Sequence, residues 1–243
     1  MYLNEFHHQQ QDRITISARQ ASRFAKEIAD DFNPLHNADA KRFCVPGDLL
    51  FSLVLARYGV SQRMSFVFKG MVGDNTSLNF APTDADDFHI TDDKDKIYLE
   101  VSRSGKQHHN TDFIETLTRN YVAFSGRNFP HTLQPLLTAN EVMINPDRPM
   151  VIYECMEFSI DHFDFENPTL EAAQADFSVN GKRGTADLNF LIKAGEQEVG
   201  RGFKRLLVSG LKPYDASVAD ALVQRYLDSK TAYLATNSST EED

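Results

Sequence analysis

A chain of 243 residues with 41% hydrophobic residues is long enough for one large or two ordinary globular domains, which excludes a disordered or fibrous protein. Its 25 Lys and Arg against 35 Asp and Glu leave a formal charge of −10, a field that repels phosphate backbones and sets nucleic acid aside as a partner. Two cysteines, Cys44 and Cys155, are too few for a disulfide framework and lack zinc-ligand spacing. No apolar run predicts a membrane span, and no basic-then-apolar leader with a cleavage site opens the chain, so a cytoplasmic protein is expected.

Ser17 opens a helical pattern in which Ala21, Phe24, Ala25, Ile28 and Ala29 share one face. It is expected to end at Asp30 and Asp31, with Pro34 preventing continuation. The stretch that follows, Asp31-Phe32-Asn33-Pro34-Leu35-His36, sets a carboxylate, an amide and an imidazole within six residues. Asp and Asn serve helix ends and turns, so a helix terminus is one sufficient reading. A carboxylate with an imidazole also moves protons near neutrality, so an active site is another.

Residues 49–58, bounded by Pro46-Gly47-Asp48 and Gly59, are apolar almost all round, as in a helix buried on most sides. Strands are predicted over 64–71, 77–81 and 96–103, with the acidic residues 83–95 as a solvated connector. Helical patterns follow over 112–125 and 131–143. Strands then return over 151–160, 170–179, 185–193 and 198–209, with Asn180-Gly181 and Ala194-Gly195 as turn signals. A last helix is expected over 216–226. The order is helix then strands, twice, which is α+β organisation: one half over 1–110, a second over 111–228, and a polar tail over 229–243 without fixed structure.

The succession of a short helix, the D-x-N-P-L-H corner, Pro46-Gly47 opening an apolar helix, and a strand 64–68 leading to Val72-Gly73-Asp74 resembles the MaoC-like family of hotdog-fold proteins, which includes the (R)-specific enoyl-CoA hydratases. The likeness spans about residues 16–80 and is most specific at Asp31, Asn33, Pro34, Leu35 and His36, with Gly47 matching the glycine that opens the central helix. It implies a double hotdog, an antiparallel sheet wrapped around a long central helix, twice, with a motif-bearing first half and a degenerate second. It implies a lyase in which Asp31 and His36 activate water for addition to C3 of a trans-2-enoyl thioester and supply a proton at C2. Asn33 would orient the water, and the Gly47 amide at the helix start would receive the enolate oxygen.

Pro46, Gly47, Asp48 and Leu55 are expected against the substrate. Pro46-Gly47-Asp48 stands where the family has a His-Gly pair, Leu55 falls where some hydratases carry a helix serine, and the His36–Gly47 connector is several residues shorter than in typical members. No metal and no cofactor are implied beyond the coenzyme A or acyl carrier of the substrate. A non-catalytic module that binds acyl-CoA or an acyl-carrier-protein thioester is one alternative, and an acyl-CoA thioesterase is another. A double hotdog is compatible with a monomer or a homodimer.

Outside the motif, Cys44 reads as a buried bystander. The adjacent pairs His7-His8 and His108-His109 do not converge on a metal, and His131 has no carboxylate and proline arrangement near it. His162, two residues from Asp164, is a second candidate if the segment is a strand. Lys41, Arg42, Arg63 and Lys69 are basic residues that coenzyme A phosphates would meet.

Overall fold

The computed structural model describes residues 1–238. A hairpin of β1 (His8–Gln10) and β2 (Arg13–Thr15) leads into α1 (Ala18–Arg23) and then α2 (Gly47–Tyr58). Strands β3 (Val60–Phe68), β4 (Leu78–Asn79), β5 (Asp87–Asp92) and β6 (Ile97–His108) follow, and then α3 (Thr111–Gly126). Short helices α4 (Asn128–His131) and α5 (Leu133–Ala139) and strand β7 (Val142–Met143) precede four long strands, β8 (Val151–Ile160), β9 (Thr169–Asn180), β10 (Arg183–Ala194) and β11 (Gln197–Ser209). Strand β12 (Lys212–Pro213) and helix α6 (Ala216–Ser238) complete the described chain.

Helices α2 and α3 form for different local reasons. Helix α2 starts after Pro46, whose fixed φ of −56° suits a helix start, and stops at Gly59, where φ is +81°. It is buried from Asp48 through Leu55, which is why its sequence carries no polar face. Asn110 caps α3 by accepting from the Phe113 amide at 2.9 Å. Helix α3 buries a stripe of Phe113, Leu117, Tyr121, Val122 and Ser125 at spacings of three and four. The stripe meets α2, where the rings of Phe51 and Tyr121 lie with centroids 4.7 Å apart.

One ten-stranded sheet runs β1-β2-β4-β5-β6-β3-β8-β11-β10-β9. In each half, the first strand of the large sheet after α2 or α3 lies beside the last large-sheet strand of that half: β3 beside β6, and β8 beside β11. The neighbour order then repeats outward, through β5 to β4 and through β10 to β9. This is a double hotdog, a duplication legible in the strand order though not in the letters. The halves meet where β3 pairs antiparallel with β8, Met64 opposite Phe158 and Phe66 opposite Met156. One hydrophobic core spans the junction, with Phe51 and Phe66 from the first half and Phe158 and Phe190 from the second.

Four expectations change. The helix from Ser17 does not run to Asp31: α1 widens into a π turn over Phe24–Ile28, and Asp30, at φ +54°, turns the chain out of it. The acidic connector contains β5, whose Phe88 and Ile90 face the core between exposed Asp87 and His89. Residues 131–143 divide between the end of α4, α5 and β7. Residues 229–238 of the expected tail are helical, because α6 continues to Ser238, and 239–243 lie outside the described residues. No helix among the described residues is long and apolar enough to cross a membrane.

Candidate active site

The motif corner is held from both sides. Asp30 leaves the helix in the left-handed region, and the Asp31 amide returns to the Ala25 carbonyl at 2.7 Å. Asp31 Oδ1 then accepts from the Asn33 amide at 2.9 Å, and Asn33 Oδ1 caps the single turn Pro34–His36 by accepting from the Leu35 amide at 3.1 Å. Asn33 is therefore committed through its oxygen to shaping the corner, leaving only its amide nitrogen for a water. Cys44 closes the connector: its amide donates to the Leu35 carbonyl at 3.0 Å, and its carbonyl accepts from His36 Nδ1 at 2.8 Å.

That last bond fixes the imidazole, with the Nδ1 proton on Cys44 and Nε2 turned to the carboxylate. His36 Nε2 lies 3.6 Å from Asp31 Oδ2, an ion-pair distance longer than a good hydrogen bond, so both atoms can still reach a third group. Burial alone would lower the basicity of His36, but its contacts with Cys44 and the charge of Asp31 outweigh that and push its pKa up to about 9. His36 is thus held as imidazolium at neutral pH, facing Asp31.

Asp31 and His36 line a cavity of about 620 Å³ between the corner, the start of α2, the end of α3 and α6. Pro46, Gly47 and Asp48 line it too, and the first amides of α2 are among those no helix satisfies internally. A Cβ on Gly47 would sit 3.0 Å from Tyr153 and 3.1 Å from Phe68, so two aromatic rings would have to give by a few tenths of an ångström for any larger residue. Leu55 is fully buried in the core and does not line the cavity, because it lies two turns beyond the helix start.

Asp48 does not cap α2. Its Oδ2 reaches across to α3 and accepts from Ser125 Oγ at 2.7 Å, and Ser125 Oγ in turn accepts from Lys204 Nζ on β11. Lys204 lies over the ring of Tyr153, 4.3 Å from its centroid, and the Tyr153 hydroxyl pairs with that of Tyr121 at 2.5 Å. Burial raises the pKa of Asp48 against the charge of Lys204, and burial lowers that of Lys204 against the charge of Asp48. An isolated carboxylate beside Gly47 would oppose a developing oxyanion. With Lys204 joined through one serine, the net charge of this group is zero.

Helix α6 closes the cavity over the corner. The Phe32 amide donates to the Tyr226 hydroxyl at 3.2 Å, which donates to the Asp30 carbonyl at 3.3 Å, and Lys230 pairs with Asp30 at 2.6 Å. Ser125, Asn128, Lys204 and Tyr226 were not among the expected site residues. Lys204 had a signal: along β11 it shares the buried face with Leu206 and Val208, where an unpaired lysine is out of place. His162 lies in a loop, accepting from the Asp164 amide at 3.2 Å, and is no part of the cavity. Of the basic candidates only Lys69 lines it, paired with Glu100 at 3.3 Å. Among the described residues no group of three or more His, Cys, Asp or Glu is placed to hold a metal ion.

Residues 1–217 match the family described as Protein of unknown function (DUF3581). No curated protein matches. Among solved structures, the chain is similar to an acyl-CoA thioesterase II, TesB2, from Mycobacterium marinum, at 10% identity over 88% of this chain and 100% of that one, with a TM-score of 0.40. It is similar to a hot dog fold protein of unknown function from Alicyclobacillus acidocaldarius, at 8% identity over 88% and 99% of the two chains, with a TM-score of 0.46. The tesB protein of Mycobacterium avium subs paratuberculosis gives 8% identity over 85% and 96%, with a TM-score of 0.43.

Proposed function

We propose, for a chain that belongs to the DUF3581 family, that the cavity takes an acyl thioester and that Asp31 and His36 add water across its α,β double bond. The observation that carries this reading is the 3.6 Å approach of His36 Nε2 to Asp31 Oδ2 in a cavity of about 620 Å³ that also meets the start of α2. Hydration needs a base for the water and an acid for C2 on one side of the substrate, roles that a carboxyl and an imidazolium side by side can fill.

With the thioester carbonyl at the Gly47 amide, Asp31 takes a proton from water as its oxygen bonds to C3. The π electrons move onto the carbonyl as an enolate, facing the positive end of α2. His36 then gives its Nε2 proton to C2. The proton held by Asp31 passes to His36 and restores the starting pair, so one water is consumed and no proton is gained or lost.

Asp31→Asn and His36→Ala are each expected to lower hydration of short trans-2-enoyl thioesters by about 10²–10⁴-fold, followed as loss of enoyl absorbance. Wild-type rates in either variant would remove the dyad from the mechanism. The same samples are assayed for free thiol. Thiol release that depends on Asp31 and His36, without hydration, would assign the cavity to thioester hydrolysis, the activity in the name of the TesB2 structure. Acyl-thioester binding with neither product would make it a binding module.

A further inference from the structure

Two buried polar atoms on cavity-lining residues have no hydrogen-bond partner among the described residues: Asp48 Oδ1 and Asn128 Nδ2. The residues are only 7% and 9% exposed, and both line the cavity. They are also neighbours through structure. Asp48 is bonded by its other oxygen to Ser125 at 2.7 Å, and Asn128 follows Ser125 by three residues at the turn from α3 into α4. A buried donor and a buried acceptor left unpaired are costly in a folded protein, and such a pair on two residues that line one cavity marks a place where a ligand that displaces their cover completes the bonding.

The chemistry of the surroundings narrows the ligand. Lys204, joined to Asp48 through Ser125, cancels the carboxylate charge, so the group favours neither an anion nor a cation. A neutral group that both donates and accepts satisfies Asp48 Oδ1 and Asn128 Nδ2 together, and a hydroxyl is the smallest that does. Asp48 is the residue after Gly47, where the thioester carbonyl is placed, so the hydroxyl belongs within the first few carbons of the acyl chain. We infer that Asp48 and Asn128 form a polar subsite for a hydroxyl on the acyl chain, and that the substrate is a hydroxylated acyl thioester rather than a plain fatty one. The inference rests on the acyl-thioester reading of the cavity, not on which reaction follows.

The test is equilibrium binding, which needs no turnover. The probes are 2-oxoalkyl thioethers of 4′-phosphopantetheine, the part common to coenzyme A and an acyl carrier. They keep the carbonyl but can be neither hydrated nor hydrolysed. A plain five-carbon chain is compared with chains carrying one hydroxyl at each successive carbon beyond the carbonyl. A site built to bond a hydroxyl discriminates against the analogue lacking it, so one hydroxylated probe is expected to bind at least about tenfold more tightly than the plain chain. That preference is expected to fall to about twofold or less in Asn128→Leu. It is expected to fall likewise in the double variant Asp48→Leu with Lys204→Met, which removes both charges together and avoids stranding one. Circular dichroism checks that each variant is folded.

Equal or tighter binding of the plain chain by the wild type overturns the subsite and leaves the acyl-thioester reading standing. A hydroxyl preference that persists in both folded variants overturns the assignment to Asp48 and Asn128. Binding of no probe at all overturns the acyl-thioester reading and the inference with it.

Discussion

At the scale of single residues, the dyad divides its contacts cleanly. Nδ1 of His36 is spent on the Cys44 carbonyl at 2.8 Å, which leaves Nε2 as the working nitrogen. Because His36 is raised from 6.5 to about 9, its acid form persists through neutrality. The rate of hydration, as kcat/KM, is therefore expected to fall as pH rises through about 9, and in Asp31→Asn, which removes the raising charge, the fall is expected at lower pH. A profile unchanged by Asp31→Asn would separate the titrating group from His36. The same shift bears on stability with a definite sign. A group whose pKa is higher folded than unfolded stabilises fully below its unfolded value, here about 6.5, and loses that contribution as pH rises through about 9.

At the scale of elements, the corner and the second long helix are fitted backbone to backbone. A Cβ on Gly126, at the end of α3, would lie 1.8 Å from the Ala29 carbonyl oxygen and 3.2 Å from Asp31 Cβ. Gly126→Ala is expected to destabilise the protein by about 1–3 kcal/mol and to slow hydration by moving Asp31, read from urea midpoints and initial rates. Gly73→Ala, whose Cβ would meet only Thr76 Oγ1 at 3.7 Å, serves as the control and should shift stability by less than about 0.5 kcal/mol. Loss of neither stability nor rate in Gly126→Ala would mean that the corner yields freely. Helix α2 and the long strands of the second half were legible because their signals are local: an apolar run stopped by Gly59, and the turn signals Asn180-Gly181 and Ala194-Gly195. Strand β5 was hidden because its two inward residues, Phe88 and Ile90, are separated and flanked by acids that read as a loop. Asp31 and His36 were legible because six residues carry the whole motif. Ser125 lies 77 positions beyond Asp48 and Lys204 lies 79 beyond Ser125, and the meeting of the three is a property of the tertiary packing that spacing does not encode. The extension of α6 beyond 226 was missed for a related reason. Its polar letters suggest a tail, while its order comes from Phe32 and Asp30 on the far side of the chain.

At the scale of the whole molecule, the duplicated plan does not give two independent domains. Strands β3 and β8 are continuous neighbours in one sheet, and Phe51, Phe66, Tyr121 and Phe158 share one core. Urea unfolding is accordingly expected to be a single transition, with far-ultraviolet and tyrosine signals superimposing. Two separated transitions would mean that the halves are stable apart. The cavity belongs to this joint architecture, since the first half brings the dyad and the second brings Ser125, Lys204 and the turn into α4.

Asp30 and Asp31 stand side by side with different employment. Asp30 ties the corner to two distant pieces, pairing with Lys230 of α6 at 2.6 Å and with Arg127 after α3 at 3.3 Å, while its carbonyl accepts from Tyr226 of α6. Asp31 keeps one carboxylate oxygen for a neighbouring amide and turns the other to His36. The scaffold of the corner thus hangs on residue 30, and the group proposed to react is the one beside it. The practical value is a bait: with the architecture secured elsewhere, an Asp31→Asn protein can be purified from cells with its cavity shaped but its reaction stalled, and mass spectrometry of whatever it carries out reads the native metabolite directly.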